Sequence, residues 1–274
     1  MSKRNKILLS VIFFLSIGIV AYAAVAESKN SPTAKAIETG ESTYYGTIQS
    51  GFKMVLNNVW GGTSKELDSK SIQSYIYVKS GGIVGWEWNR PDPEPYSKKY
   101  VPPIYPEVVV GSTPAGSSST TDVFPIRYGD IKDWTSTIKF EYVKSPNGLY
   151  NLAYDIYWMN GNTKKFNVMI WIDGHYDGGA PIGEVSDGIN TYIHYYKPAG
   201  QTSYWEWHAF ELKNQGSNNH SVNIKKLLDN AFSPDKINGD WVIPGIELGN
   251  EVWKGSGRIQ INSYDIIING DLIS

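Results

Sequence analysis

The chain has 274 residues, with 25 lysines and arginines against 27 aspartates and glutamates, a formal charge of -2. That balance excludes nucleic-acid binding by general electrostatics, which needs a basic excess to neutralise phosphates. The 10 tryptophans and 19 tyrosines exclude a disordered chain, and the absence of cysteine excludes disulfides, Cys-ligated zinc, iron–sulfur clusters and a thiol nucleophile.

Lys3, Arg4 and Lys6 precede an uncharged run, residues 7–26. A basic start, an apolar stretch and small residues at its end form the order of a secretory signal. Small-x-small sites stand at Ala21-Tyr22-Ala23 and Ala24-Val25-Ala26. Left uncleaved, the same run is long enough to act as a membrane anchor. Both readings place the rest of the chain outside the cytoplasm, secreted or held on the outer face of the membrane. Residues 27–43 are polar and rich in small side chains, as a linker is. Residues 44–274 have the length of one large β domain.

From Tyr44 onward, short alternating runs are bounded by turn residues. Residues 74–78 stop before Gly81-Gly82, and residues 137–142 have period two and end near Pro146-Asn147-Gly148. Residues 150–158 run to the turn Asn160-Gly161-Asn162, and residues 166–172 are stopped by Gly174. Residues 192–196, 205–212 and 258–268 read the same way. Strands joined by turns at this spacing predict an all-β sandwich or barrel. Residues 223–232 carry apolar side chains at helical spacing, with Pro234 just beyond, and predict the one helix. The Pro-rich stretch 91–106 and the Gly-Ser-Thr stretch 111–121 read as loops within the domain. His175, His194, His208 and His220 show no close pairing at metal-ligand spacing, so neither a metal nor another cofactor is expected.

Tryptophans recur along the strand set. In Trp86-Glu87-Trp88 and Trp205-Glu206-Trp207 the two indoles of each pair share one strand face. Core packing accounts for any one of them. Their number, with interspersed Asn, Asp and Glu, suits a groove that stacks pyranose rings and bonds their rims. Composition therefore favours a polysaccharide-binding β protein, without choosing between hydrolase, lectin and adhesin.

Three segments sharpen this. They are Asn57-Asn58-Val59-Trp60-Gly61; Ala153-Tyr154-Asp155-Ile156-Tyr157 with Asn167-Val168-Met169-Ile170-Trp171 and Gly179-Ala180-Pro181-Ile182-Gly183; and Gly249-Asn250-Glu251-Val252-Trp253-Lys254-Gly255-Ser256-Gly257. In this order they resemble glycoside hydrolase family 12, the small endo-β-1,4-glucanases and xyloglucanases. The likeness runs from about Thr47 to Asn269 and is weak between Arg90 and Lys132. The export segment and the closing Asp-Leu-Ile-Ser also look like family members from heat-loving archaea. The resemblance implies a jelly-roll β-sandwich of two antiparallel sheets, one forming an open concave cleft, with one helix on the outside. It implies retaining hydrolysis by two carboxylates, one attacking the anomeric carbon and the other serving as acid, then base.

Carried over by motif, Glu251 is the acid/base and Asp155 the residue that supports the nucleophile. The nucleophile position departs from the family. Its pattern is Glu-x-Met-x-Trp, and Asn167 stands where the Glu belongs. An amide is a poor nucleophile and carries no charge to balance an oxocarbenium-like transition state. Without a neighbouring anion, Glu251 is also expected to be a weaker proton donor at neutral pH. Asp173 shares a strand face with Asn167 but lies six residues on, about 20 Å along a strand, too far to stand in. The resemblance further assigns Asn58 and Trp60 to sugar binding, Met169 and Trp171 to the cleft floor and Pro181 to a bordering loop. Trp86 and Trp88 are extra stacking platforms or core residues. The expected partner is a β-1,4-linked glucan, bound by a monomer. Activity is then impaired or lost, and the alternative is a non-catalytic glucan-binding pseudoenzyme.

Overall fold

A computed structural model describes residues 38–42, 44–59, 72–90, 104–146, 148–174, 180–200 and 203–273. The proposed signal or anchor, most of the linker and Trp60 lie outside the described residues. The chain passes through β1 (Glu38–Glu41), β2 (Thr47–Ser50), β3 (Lys53–Asn58), β4 (Gln73–Lys79), β5 (Ile83–Arg90) and β6 (Tyr105–Gly111). It continues through β7 (Ile126–Arg127), β8 (Trp134–Lys144), β9 (Leu149–Asn160), β10 (Thr163–Gly174), β11 (Pro181–Ser186), β12 (Thr191–Lys197), β13 (Glu206–Leu212) and β14 (Asn219–Asn223). The helix α1 (Ile224–Ala231) follows, then β15 (Val242–Ile243), β16 (Gly245–Gly249), β17 (Val252–Ile268) and β18 (Asp271–Ile273).

These strands form two sheets. The first runs β1–β4–β5–β17–β8–β14, with β18 on the end of β17. The second runs β2–β3–β6–β16–β9–β10–β13–β12–β11, with β15 and β7 beside the end of β9. Among the described pairings only β10–β13 is parallel. The alternation seen in the sequence sorts the side chains. Ile156, Val168, Ile170, Ile246 and Leu248 face inward, meeting Trp86, Ile138, Ile259, Ile261 and Ile266 of the first sheet's strands in one core. Each such side chain adds about 1.5–3 kcal/mol on burial, which lets a chain without cysteine hold together.

The helix confirms its sequence signals. Asn223 is its N-cap and accepts from the Lys226 N–H at 2.9 Å, while Ile224, Leu227 and Leu228 are buried. Two readings are corrected. Residues 38–41 fall within the stretch read as linker but form β1, paired with β4 by main-chain bonds that a polar tetrapeptide does not advertise. Tyr105 and Pro106, read as the end of a loop, begin β6, whose seven residues are all buried. The histidines, distant in sequence, meet in space: His194 Nε2 and His208 Nδ1 are 2.9 Å apart across β12 and β13.

Candidate active site

On the second sheet, the strand period sends Asp155, Asn167, Met169 and Glu247 to the face opposite the core. A cavity of about 610 Å³ lies there. Asn58 from β3, Tyr105 and Glu107 from β6, Asp155 and Tyr157 from β9, Lys164 from β10 and Glu247 from β16 line it, with Glu251 just past the end of β16. Tyr45 and Trp205 stand at its sides. Trp205 packs edge-on against Tyr157, and the Lys164 ammonium lies over both rings.

Asn167 is buried between β9 and β13, opposite Tyr157 and Trp207. Its Nδ2 gives both protons away, to Asp155 Oδ1 at 2.5 Å and to the Ile156 carbonyl at 3.0 Å. The second Asp155 oxygen accepts from the Tyr157 hydroxyl at 3.1 Å. Burial pushes the Asp155 carboxyl up to about 6, and the bonds from Asn167 and Tyr157 hold it back. The aspartate that the resemblance assigns to support thus meets the residue at the nucleophile position, and fixes it as an N–H donor.

Glu251 rests on a separate set of bonds. Asn151 Nδ2 donates to Glu251 Oε2, and Asn151 Oδ1 accepts from the Glu251 N–H at 3.1 Å. The adjoining Asn250 donates from Nδ2 to the Tyr142 hydroxyl and the Asn151 carbonyl, and accepts on Oδ1 from Trp86 Nε1 at 2.7 Å. Burial pushes the Glu251 carboxyl up to about 8, with Asp155 adding to the rise and Asn151 and Lys197 opposing it. Desolvation thus raises the Glu251 carboxyl without an anion at position 167, beside the contribution that such an anion would add.

Among the described residues, neither Asp173 nor Glu247 stands as a free carboxylate beside Asn167. Asp173 is ion-paired to Lys144 at 2.6 Å. Glu247 stands opposite Asp155 across β16 and β9, and burial together with the negative charges of Glu107 and Asp155 raises its carboxyl well above the usual range. Hydrogen-bonded to Glu107, its carboxyl is not free to attack. Among the described residues no group of three His, Asp or Glu has the arrangement of a metal site.

No protein-family model and no curated protein matches the sequence. Solved structures do match. A family 12 xyloglucanase from Bacillus licheniformis superimposes with a TM-score of 0.70 at 24% identity, over 84% of this chain and 100% of that one. An endoglucanase from Rhodothermus marinus gives 0.68 at 19%, over 86% and 100%. Endoglucanase 3 of Trichoderma harzianum, from the same family, gives 0.63 at 20%, over 87% and 100%. The fold is that of the family 12 glycoside hydrolases.

The remaining positions implied by the resemblance are distributed unevenly on this family 12 fold. Asn58 lines the cavity and donates from Nδ2 to Glu107 Oε1 at 2.9 Å. Met169 and Trp171 lie on the same sheet face but are buried with Ala153, Tyr195 and Ala209, the Trp171 ring 5.9 Å from Trp207. Pro181 is exposed at the start of β11, the outermost strand, away from the cavity lining. Trp86 and Trp88 are 0% and 3% exposed, so neither offers a face to a sugar. Trp86 instead supports Asn250, and Trp88 packs edge-on against Tyr142 and Tyr150. Sequence reasoning missed Glu107, Glu247, Asn151 and Lys164. The first two carried a signal, a lone acid inside an apolar strand, in Glu107-Val108-Val109-Val110 and Ile246-Glu247-Leu248. An acid in such a run faces away from the core or needs a partner.

Proposed function

We propose that this chain is an exported β-1,4-glucan hydrolase by descent, of the retaining, two-carboxylate kind. Its cleft binds glucan, and its turnover is slow or absent because Asn167 occupies the nucleophile position. One observation carries the reading. Glu251 is held by Asn151 with its carboxyl raised by burial to about 8, while the residue bonded to Asp155 is an amide whose two protons are already committed. In the intact mechanism Glu251 gives its proton to the leaving oxygen as the nucleophile attacks C1. Here the first half is supplied and the second is not. The Bacillus licheniformis xyloglucanase has also been solved in complex with a ligand, which supports the glucan-binding half by analogy of fold.

The test is calorimetry with cellotetraose and a xyloglucan oligosaccharide, beside reducing-sugar release from soluble β-glucan. Binding with negligible release is expected. Hydrolysis at an ordinary enzyme rate, about 1–10³ per second, would overturn the missing-nucleophile reading. Absence of binding would overturn the glucan reading. Export by the N-terminal segment rests on its basic-apolar-small order, and intact mass of the mature protein tests it: cleavage should leave a chain beginning near Ala24 or Glu27.

A further inference from the structure

Glu107 and Glu247 lie diagonally across β6 and β16 on the cavity floor: Glu107 pairs with Gly249, and Glu247 with Val109. A Cβ at position 249 would stand 2.8 Å from Glu107 Cβ, so glycine there leaves the Glu107 side chain its space. Glu107 is fully buried. Its Oε1 accepts from Asn58 Nδ2, while its buried Oε2 meets no N–H or hydroxyl donor. The side chain diagonal to it on the same sheet face and in the same cavity lining is Glu247, whose carboxyl is in hydrogen-bonding contact with that of Glu107. Two ionised carboxylates in contact in a buried site are strongly disfavoured, whereas an acid and a carboxylate form a short, charge-assisted bond. One proton therefore belongs to the pair. One Asn58 N–H is fixed on Glu107, which orients the amide and leaves Oδ1 and the second N–H for a ligand in the cavity it lines.

We propose that Glu107 and Glu247, sharing one proton, are a sugar-hydroxyl recognition pair. They orient Asn58 as an acceptor for one hydroxyl of a bound glucosyl ring, and Glu247 itself bonds a neighbouring hydroxyl of that ring. The inference rests on the glucan reading above. It makes binding depend on the single proton. Once that proton is lost, the two anions repel, Asn58 loses its fixed partner and a neutral sugar faces a doubly charged floor. The other charged or titratable groups facing the pair are Asp155 and Tyr157 from β9, Lys164 from β10, Tyr105 from β6 and Glu251.

Glu251 titrates near the same pH, so the experiment uses the full chain carrying Glu251→Gln. Cellotetraose affinity is measured by calorimetry from pH 6.5 to 9.5. A tenfold or greater loss across this range is expected. Adding Glu247→Gln should abolish the pH dependence, because an amide still donates to Glu107 Oε2 but does not titrate; Glu107→Gln should do the same. Carbon-13 carboxyl NMR of the unaltered, glutamate-labelled protein needs neither substitution and should show a glutamate pair titrating above pH 7. Affinity that does not change with pH, or a loss that persists in both Gln variants, overturns the inference and leaves the glucan reading standing. So do glutamate carboxyls that all titrate below pH 6. Absence of cellotetraose binding at every pH overturns both.

Discussion

Asn167→Glu is the perturbation that tests the reading most directly. The new side chain gives up two amide hydrogen bonds, to Asp155 and to the Ile156 carbonyl. Each is worth about 0.5–1.5 kcal/mol net. It also sets a second carboxyl against Asp155, itself already raised to about 6 by burial. The two acids must share a proton, as the amide and the acid now share a hydrogen bond. Together these terms predict a loss of about 2–4 kcal/mol of stability near pH 7, smaller near pH 5, where the shared proton is held. Against that cost, a charged nucleophile becomes available opposite an acid that is already protonated. Turnover of soluble β-glucan should rise by about 10³-fold or more, equivalent to about 4 kcal/mol in the barrier. The assay is reducing-sugar release, with proton NMR of the first-formed product, which should be the β-anomer. Retention requires the two carboxyls about 5–5.5 Å apart. If the variant folds, binds cellotetraose and remains inert, the cleft lacks more than one side chain and the reasoning is wrong.

Three further outcomes follow from the same geometry. In the Asn167→Glu background, Glu251→Gln should abolish hydrolysis of unactivated glucan and spare an aryl glycoside with a good leaving group, as parallel rate measurements would show. Trp86→Phe strips Asn250 Oδ1 of its indole donor; thermal unfolding should show a loss of about 1–3 kcal/mol, and in the restored background kcat should fall more than KM changes. Asp155 and Glu251, raised by burial to about 6 and 8, and the proton shared by Glu107 and Glu247 make stability fall as pH rises above about 4.5, whereas His194, His208 and His220, lowered by burial to about 4, 3 and 4, make it fall as pH drops below 6.5. These trends offset each other at mildly acidic pH, so Tm by calorimetry should be nearly level from about pH 4.5 to 6.5 and drop on either side; a Tm that climbs steadily to pH 8 contradicts the burial argument.

Strands with clean alternation were legible in the sequence. The hairpin β9–β10 shows its period and its Asn160-Gly161 turn, and it carries Asp155 and Asn167 into contact. The helix was legible from its spacing and the Asn223 cap. What escaped were elements whose signal is tertiary. β1 is placed by its pairing with β4. β6 is buried throughout, so a run of Val108, Val109 and Val110 shows no alternation to mark its cleft face. β16 is five residues long and bounded by glycines, the composition of a turn. Glu107 and Glu247 sit on these two strands, which is why the carboxyl pair was missed while Asp155 and Glu251 were not. The tryptophans failed in the opposite direction. Indole chemistry suits a sugar platform and a core equally, and only burial separates Trp86 and Trp88 from Trp205.

The separation of supports explains how a single position can depart from the family pattern without dismantling the site. Asn167 is held from β9, through Asp155 and Ile156. Glu251 is held through Asn151 on β9 and, by way of Asn250, from Trp86 on β5 and Tyr142 on β8 in the other sheet. No hydrogen bond links the two sets directly, and the charge that position 167 lacks is not what keeps Glu251 protonated, because desolvation is the larger cause. An amide in place of an acid even relieves Asp155, which gains a donor where a glutamate would bring a second acceptor. On the reading proposed above, an amide at position 167 takes away the attacking group while the support of Glu251 and the cavity floor stay in place. If the proposed function holds, a cleft in that condition keeps groups that can recognise a glucan and lacks the one that would open it.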